Sequence, residues 1–237
     1  MQTRQRTSQT KIPIMLALLL ALVLLLAACD NNSGNTTPSA QTLIKSAQQA
    51  IQKVSAYHFN LQAQNIGTSG KFPITSADGD IVVPDRLKAT ATISGNAVQI
   101  VAIGTRQYIN LFGGWQTVSG LIDPRTLSDP KTGVSAILGH IQNPSQPTDS
   151  SVNGTNCWLI KGKLDPVLLA GITGGGAPTG TRDDVSVCIG KADNLPYQIV
   201  ITGPAAQGDT SQTSRTITLS KFNETITINP PTGTSIV

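Results

Sequence analysis

The 237-residue sequence predicts an α+β fold in which helices cover one face of a curved antiparallel sheet. Two observations predict it. Apolar and polar residues alternate over many short stretches, separated by pairs such as Gly95-Asn96 and Asn153-Gly154. A helical period interrupts this meander at only a few places, and no internal repeat is evident.

Residues 41–55 come first, with Leu43, Ile44, Ala47, Ala50, Ile51 and Val54 at helical spacing. Thr37-Pro38 or Ser39 starts that helix. At 57–65 the period becomes two: Tyr57, Phe59, Leu61 and Ala63 share one face, and His58, Asn60, Gln62 and Gln64 the other. Strands follow at about 77–83, 86–94, 97–103 and 106–111, with a short one at 115–118. Asp123-Pro124 and Asp129-Pro130 open helical turns, and Val134, Ile137, Leu138 and Ile141 form a stripe on the second. Residues 143–150 read as a loop and 155–163 as a strand, and Asp165-Pro166 starts a short helix. Gly174 to Gly180 is a flexible loop. Strands at 184–190, 197–203, 212–222 and 224–229 complete the sheet.

The N-terminus has its own logic. Arg4, Arg6 and Lys11 precede an aliphatic run over residues 12–26, which ends at Ala27-Ala28-Cys29. This is the layout of a signal peptide, and the run is shorter than the roughly 20 residues of a spanning helix. Leu26-Ala27-Ala28-Cys29 matches a lipobox. Residues 1–28 are then a lipoprotein signal peptide, and Cys29 carries the acyl chains, palmitate among them, that hold the chain on the extracytoplasmic face of the cell membrane. Residues 29–40 are a polar tether, 41–231 a single β-rich domain and 232–237 a tail. Arg4, Arg6 and Lys11 carry three of the net +4 charges, so the processed chain is near +1 and gives no basis for nucleic-acid binding. Cys157 and Cys188 remain as a pair. Strand parity puts both on the more polar face, where a cross-strand disulfide on the outer surface is allowed if the two strands pair. Two separate thiols are the alternative.

Catalytic motifs are missing. The sequence has two histidines, no G-x-S-x-G, no H-E-x-x-H and no P-loop. His58 falls on a polar strand face and reads as solvated. His140 has no ligand at metal spacing. Asp78, Asp80 and Asp85 read as turn residues, since Asp78-Gly79 and Pro84-Asp85 look like turns. No catalytic residue, metal or cofactor is assigned, and the chain is read as a non-enzyme. What remains is the apolar face: Phe59, Leu61, Ile81, Val83, Leu87, Ile93, Trp158, Ile160, Val187, Ile201 and Leu219 on strands, with Val134, Ile137, Leu138 and Ile141 on the helical stretch. Only 4% of residues are aromatic, so a cavity here is lined by aliphatic side chains, which also suit a plain core.

Four stretches carry a resemblance: FPITSADGDIVVPDRLKATA (72–91), LIDPRTLSDPKTGVSAIL (121–138), CIGKADNLPYQIVITGP (188–204) and LSKFNETITINPP (219–231). In order and spacing, with the lipobox, they resemble the LppX/LprG-type (LppX_LprAFG) bacterial lipoprotein family, similar in fold to LolA/LolB lipoprotein carriers. The resemblance implies a strongly curved half-barrel antiparallel sheet with helices covering its concave face around an apolar cavity. It implies binding of acylated lipids or glycolipids and their transfer across the envelope, with a membrane lipid exporter as partner. The helical stretch 134–141 and the loop 174–180 are candidates for a mobile entrance. One rival is a structural or assembly lipoprotein that holds a protein partner through its sheet, with a filled core. The other is a surface hydrolase, against which the scarcity of histidine and the missing nucleophile motif argue.

Overall fold

In a computed structural model of the chain, residues 37–69, 73–120, 122–173 and 175–236 are described. Twelve strands form one open sheet in the order β12-β6-β5-β4-β3-β2-β1-β11-β10-β9-β8-β7. Strands β1 to β6 are Ala56–Gln64, Ile74–Val82, Arg86–Ile93, Asn96–Ile103, Arg106–Leu111 and Gly114–Val118. Strands β7 to β12 are Thr148–Val152, Thr155–Leu164, Asp183–Gly190, Pro196–Thr202, Ser214–Ser220 and Ser235–Ile236. All ladders are antiparallel except β12 on β6. The first eleven strands therefore follow the meander rule with one exchange. β1 pairs with β11, so the N-terminal and C-terminal halves join at the middle of the sheet.

Helix α1, Ala40–Ile51, starts where Ser39 accepts a hydrogen bond from the Thr42 amide at 3.2 Å, as an N-cap serine should. It stops at Ile51, four residues before the predicted end, as the chain turns into β1. Helix α2 is Arg125–Ser128 and α3 is Val134–Gly139. The Asp165 carboxylate caps a 3₁₀ turn, Pro166–Leu169, which runs into α4, Ala170–Thr173. Residues 38–237 form one compact unit with its own core, and no described helix is long and apolar enough to cross a membrane.

Register sorts the side chains. Along one row, Ile160, Val187, Ile199, Ile217, Leu61, Ala77, Ala91 and Val98 stand on neighbouring strands and share a face, called here the first face. Most of that row belongs to the main core, to which α1 adds Leu43, Ile44 and Ala47 and α3 adds Ile137 and Leu138. Gln48 and Gln52 of α1 donate to the Ser135 carbonyl and hydroxyl at 3.1 and 2.8 Å, so the two helices are tied by polar contacts as well. On the second face a smaller cluster unites Val101, Tyr108 and Ile228, with Val82, Ile103, Trp115 and Ile226 around it.

Four expectations change. Asp78-Gly79 is not a turn: both residues lie inside β2. The Asp78 and Asp80 carboxylates flank His58, at 3.2 Å from Nε2 and 2.8 Å from Nδ1, so this histidine is held in a cross-strand contact rather than simply solvated. The predicted loop 143–150 contains the start of β7, and the Asn153-Gly154 turn, with φ of 49° and 82°, closes the β7–β8 hairpin. The predicted strand 224–229 joins no ladder. It crosses the second face as an extended strap, pinned where Arg86 Nη1 donates to the Ile228 carbonyl at 2.7 Å.

Candidate functional site

All fifteen apolar residues singled out in the sequence fall in the main core or pack against it. Leu61, Ile81, Leu87, Ile137, Leu138, Ile160, Val187, Ile201 and Leu219 are buried within it. Phe59, Val83, Ile93, Val134, Ile141 and Trp158 are partly buried around it. Alternation was thus enough to find the face. It did not find open space, because these side chains pack against each other: Leu138, Ile160 and Val187 have no exposed surface.

The open apolar space lies further along the first face, on β3, β4 and β5. A hollow of about 380 Å³ is lined there by Ile93, Val98, Ile100, Ile109, Leu111 and Phe112, with Asn96 the one polar residue among them. Val98, Ile100 and Ile109 continue the core rows across the sheet, so Ile93 and Ile100 touch both core and hollow. Of the predicted list only Ile93 lines it. The alternation of 98-100-102 and 107-109-111 carried the signal for the others. What it could not show is that core side chains leave this part of the face uncovered. A second hollow, also about 380 Å³, lies between α1 and the β9–β10 turn, with Ser46, Gln49, Lys53, Asp193 and Asn194 in its wall. Its polar wall suits water better than an acyl chain.

Charge is absent from the apolar site and gathered elsewhere. On the first face at β11, three strands from β3, Arg215 pairs with Asp209 at 2.7 Å, and the Gly67 and Ala206 amides also donate to Asp209. Asp183 lies in the same neighbourhood, fully buried, with no hydrogen-bond donor on either carboxylate oxygen among the described residues. Burial raises its pKa to about 6, against the pull of Arg215, and nearby Asp209 adds to the rise. Burial likewise pushes the Tyr57 phenol well above its ordinary value.

Cys157 and Cys188 form a disulfide with Cα atoms 5.4 Å apart. The bond is diagonal across β8 and β9, since Cys157 faces Gly190 and Cys188 faces Leu159. It lies on the second face, as strand parity expects, but it is buried there rather than on the exposed outer surface. Cys157 has no exposed surface and Cys188 almost none. The signal segment, the lipobox and Cys29 lie outside the described residues, as does Gly174 of the glycine-rich loop. Among the described residues no three His, Cys, Asp or Glu side chains group as a metal site.

Residues 39–228 match the profile of the LppX_LprAFG lipoprotein family. LprF of Mycobacterium bovis, named as a candidate diacylated glycolipid transporter, is 21% identical over 229 residues, covering 87% of this chain and 83% of the relative. The lipoarabinomannan carrier protein LprG of Mycolicibacterium smegmatis is 23% identical over 239 residues, covering 87% and 100%. The crystal structure of Mycobacterium bovis LprF superposes with a TM-score of 0.68 at 20% identity, over 81% of this chain and 96% of that one. Mycobacterium tuberculosis LppX gives 0.62 at 20% identity, over 80% and 98%. With the profile spanning most of its length, the chain belongs to the LppX_LprAFG lipoprotein family.

Proposed function

We propose that this chain is a membrane-anchored, extracytoplasmic lipoprotein that binds acylated lipids or glycolipids and transfers them across the cell envelope. The observation that carries the reading is the apolar hollow on β3–β5, open on the first face and continuous with the core. An acyl chain in water exposes apolar surface at a cost of about 25 cal/mol per Å². An aliphatic groove removes that cost by burial alone, so carriage needs no catalytic group. The names of LprF and LprG, with their matching length, support the same cargo class.

The hollow, at about 380 Å³, is near the small end of ligand pockets, which run from roughly 300 to 1,000 Å³. It receives part of one chain. A lipid with two or three chains needs the helices to part from the sheet and open a cavity among the fifteen residues in and around the core. The α3 segment and the loop at 175–180 are the proposed entrance. Lipidation of Cys29 after removal of residues 1–28 holds the domain at the membrane, and an exporter in that membrane supplies or accepts the cargo.

The test is titration of residues 38–237 with a fluorescent fatty acid. Ile100 and Ile109 are only partly buried, so Ile100→Asp and Ile109→Asp are expected to keep the fold, with circular dichroism as the check. Each is expected to weaken uptake about tenfold or more. Uptake equal to the wild type in both would overturn the assignment of the hollow. The packed state of Leu138 and Ile160 favours one second reading: a filled-core lipoprotein that binds a protein partner through its sheet. That reading expects no uptake by the wild type.

A further inference from the structure

The turn between β5 and β6 carries a side chain that the fold does not use. Phe112 is 95% exposed and stands at φ 58°, followed by Gly113 at φ 91°. A left-handed φ is uncommon for a bulky residue, and Asn or Gly would fill this turn with less strain. The two hairpins that form this end are also free of charge in sequence. Residues 89–105 and 107–122 contain no Asp, Glu, Lys, Arg or His. Arg106 between them opens β5 at the opposite end from Phe112. By register the β3–β4 turn at Ser94-Gly95 lies at the same end of the sheet as Phe112. Phe112 itself lines the apolar hollow, which therefore reaches this tip.

We propose that this end of β3–β6 docks on a lipid bilayer, with Phe112 entering the acyl region and the hollow opening toward it. The inference rests on the carrier reading above and adds where cargo enters. Three features favour a bilayer over a protein partner. A specific protein interface sets its apolar centre in a polar rim, whereas both turns here are uncharged and small around one aromatic side chain. Absence of charge suits the acyl region, where a charged group is costly. Tether length gives the third: Cys29, the proposed anchor, precedes Pro38 by nine residues, at most about 30 Å of extended chain, so the bilayer is always near.

The experiment uses residues 38–237, which hold the whole described core, and vesicles of phosphatidylcholine. The domain is expected to float with the vesicles, and about a tenfold rise in salt should not release it, because no ion pair holds it. Phe112→Asp should cut the bound fraction about tenfold. Phe112→Trp should restore it, with emission quenched by lipids brominated on their acyl chains. Flotation that is absent in the wild type, unchanged in Phe112→Asp or abolished by salt would overturn the proposal. So would a dimer in solution that Phe112→Asp dissolves, which would assign the tip to a second copy. Uptake of a fluorescent fatty acid without vesicles separates the two claims. Uptake without flotation sinks the docking site alone, whereas flotation without uptake sinks the carrier reading and leaves the bilayer contact standing.

Discussion

Asp183 sits at the start of β9 with its carboxylate fully buried and no donor for either oxygen among the described residues. Its pKa in the fold is about 6, against 3.8 for the free side chain. Between those values the folded state holds a proton that the unfolded chain has released. This contribution is therefore greatest below pH 4, falls as pH rises toward 6, and is flat above. A rise from 3.8 to about 6 corresponds to about 3 kcal/mol. Asp183→Asn should remove that fall: in urea unfolding from pH 4 to 7.5, the variant should gain on the wild type by about 2–3 kcal/mol. Parallel stability curves would contradict the burial account. Gly79 is a second site where one residue decides. It stands opposite Phe59 and Ala89, and a Cβ there would lie 2.6 Å from the Ala89 Cβ and 2.3 Å from the Lys88 carbonyl oxygen. Gly79→Ala should cost about 1–3 kcal/mol by thermal or urea unfolding, through forced separation of β2 from β3.

Elements show what a period can and cannot convey. The strands of the meander were legible because one apolar face is buried, as in β3 with Leu87, Ala89 and Ala91 inward. β7 was not legible: its residues, Thr148 to Val152, are polar but for the last, and an edge strand needs no apolar face. The alternation in residues 224–229 was real but was read as pairing. Ile226 and Ile228 do share one side, yet that side lies on Val101 and Tyr108 while the strap's backbone joins no ladder. Ile228→Ala should therefore cost about 2–4 kcal/mol, as removal of a core side chain does, despite its position in an irregular segment. The disulfide belongs to this scale too. It closes a loop between residues 31 apart, and the double variant Cys157→Ser/Cys188→Ser should lose about 3–4 kcal/mol in denaturant unfolding. Leu138 of α3 and Ile160 of β8 set a limit on cavity mutagenesis. Leu138 and Ile160 have no exposed surface, so a charge at either should unfold the domain rather than report on a ligand.

Over the whole molecule, the sheet is one continuous surface whose first face changes character along its length. From β8 across to β3 it is packed with the core, and at the Ile93 and Phe112 end of β3 to β5 it is open and apolar. Strand parity names such a face from the sequence, but it does not say which part other elements leave bare. That depends on contacts between residues far apart in the chain, such as Ser135 with Gln48 and Gln52. The hollow, the uncharged tip at Phe112 and the family to which the chain belongs converge on one claim, that the domain carries acyl chains. Native mass spectrometry of residues 38–237, before and after incubation with a diacylated glycolipid, tests it most directly. The account predicts a discrete added mass that extracts into organic solvent as intact lipid, and that Ile109→Asp reduces. A bare protein mass under both conditions, with the domain folded, would contradict it.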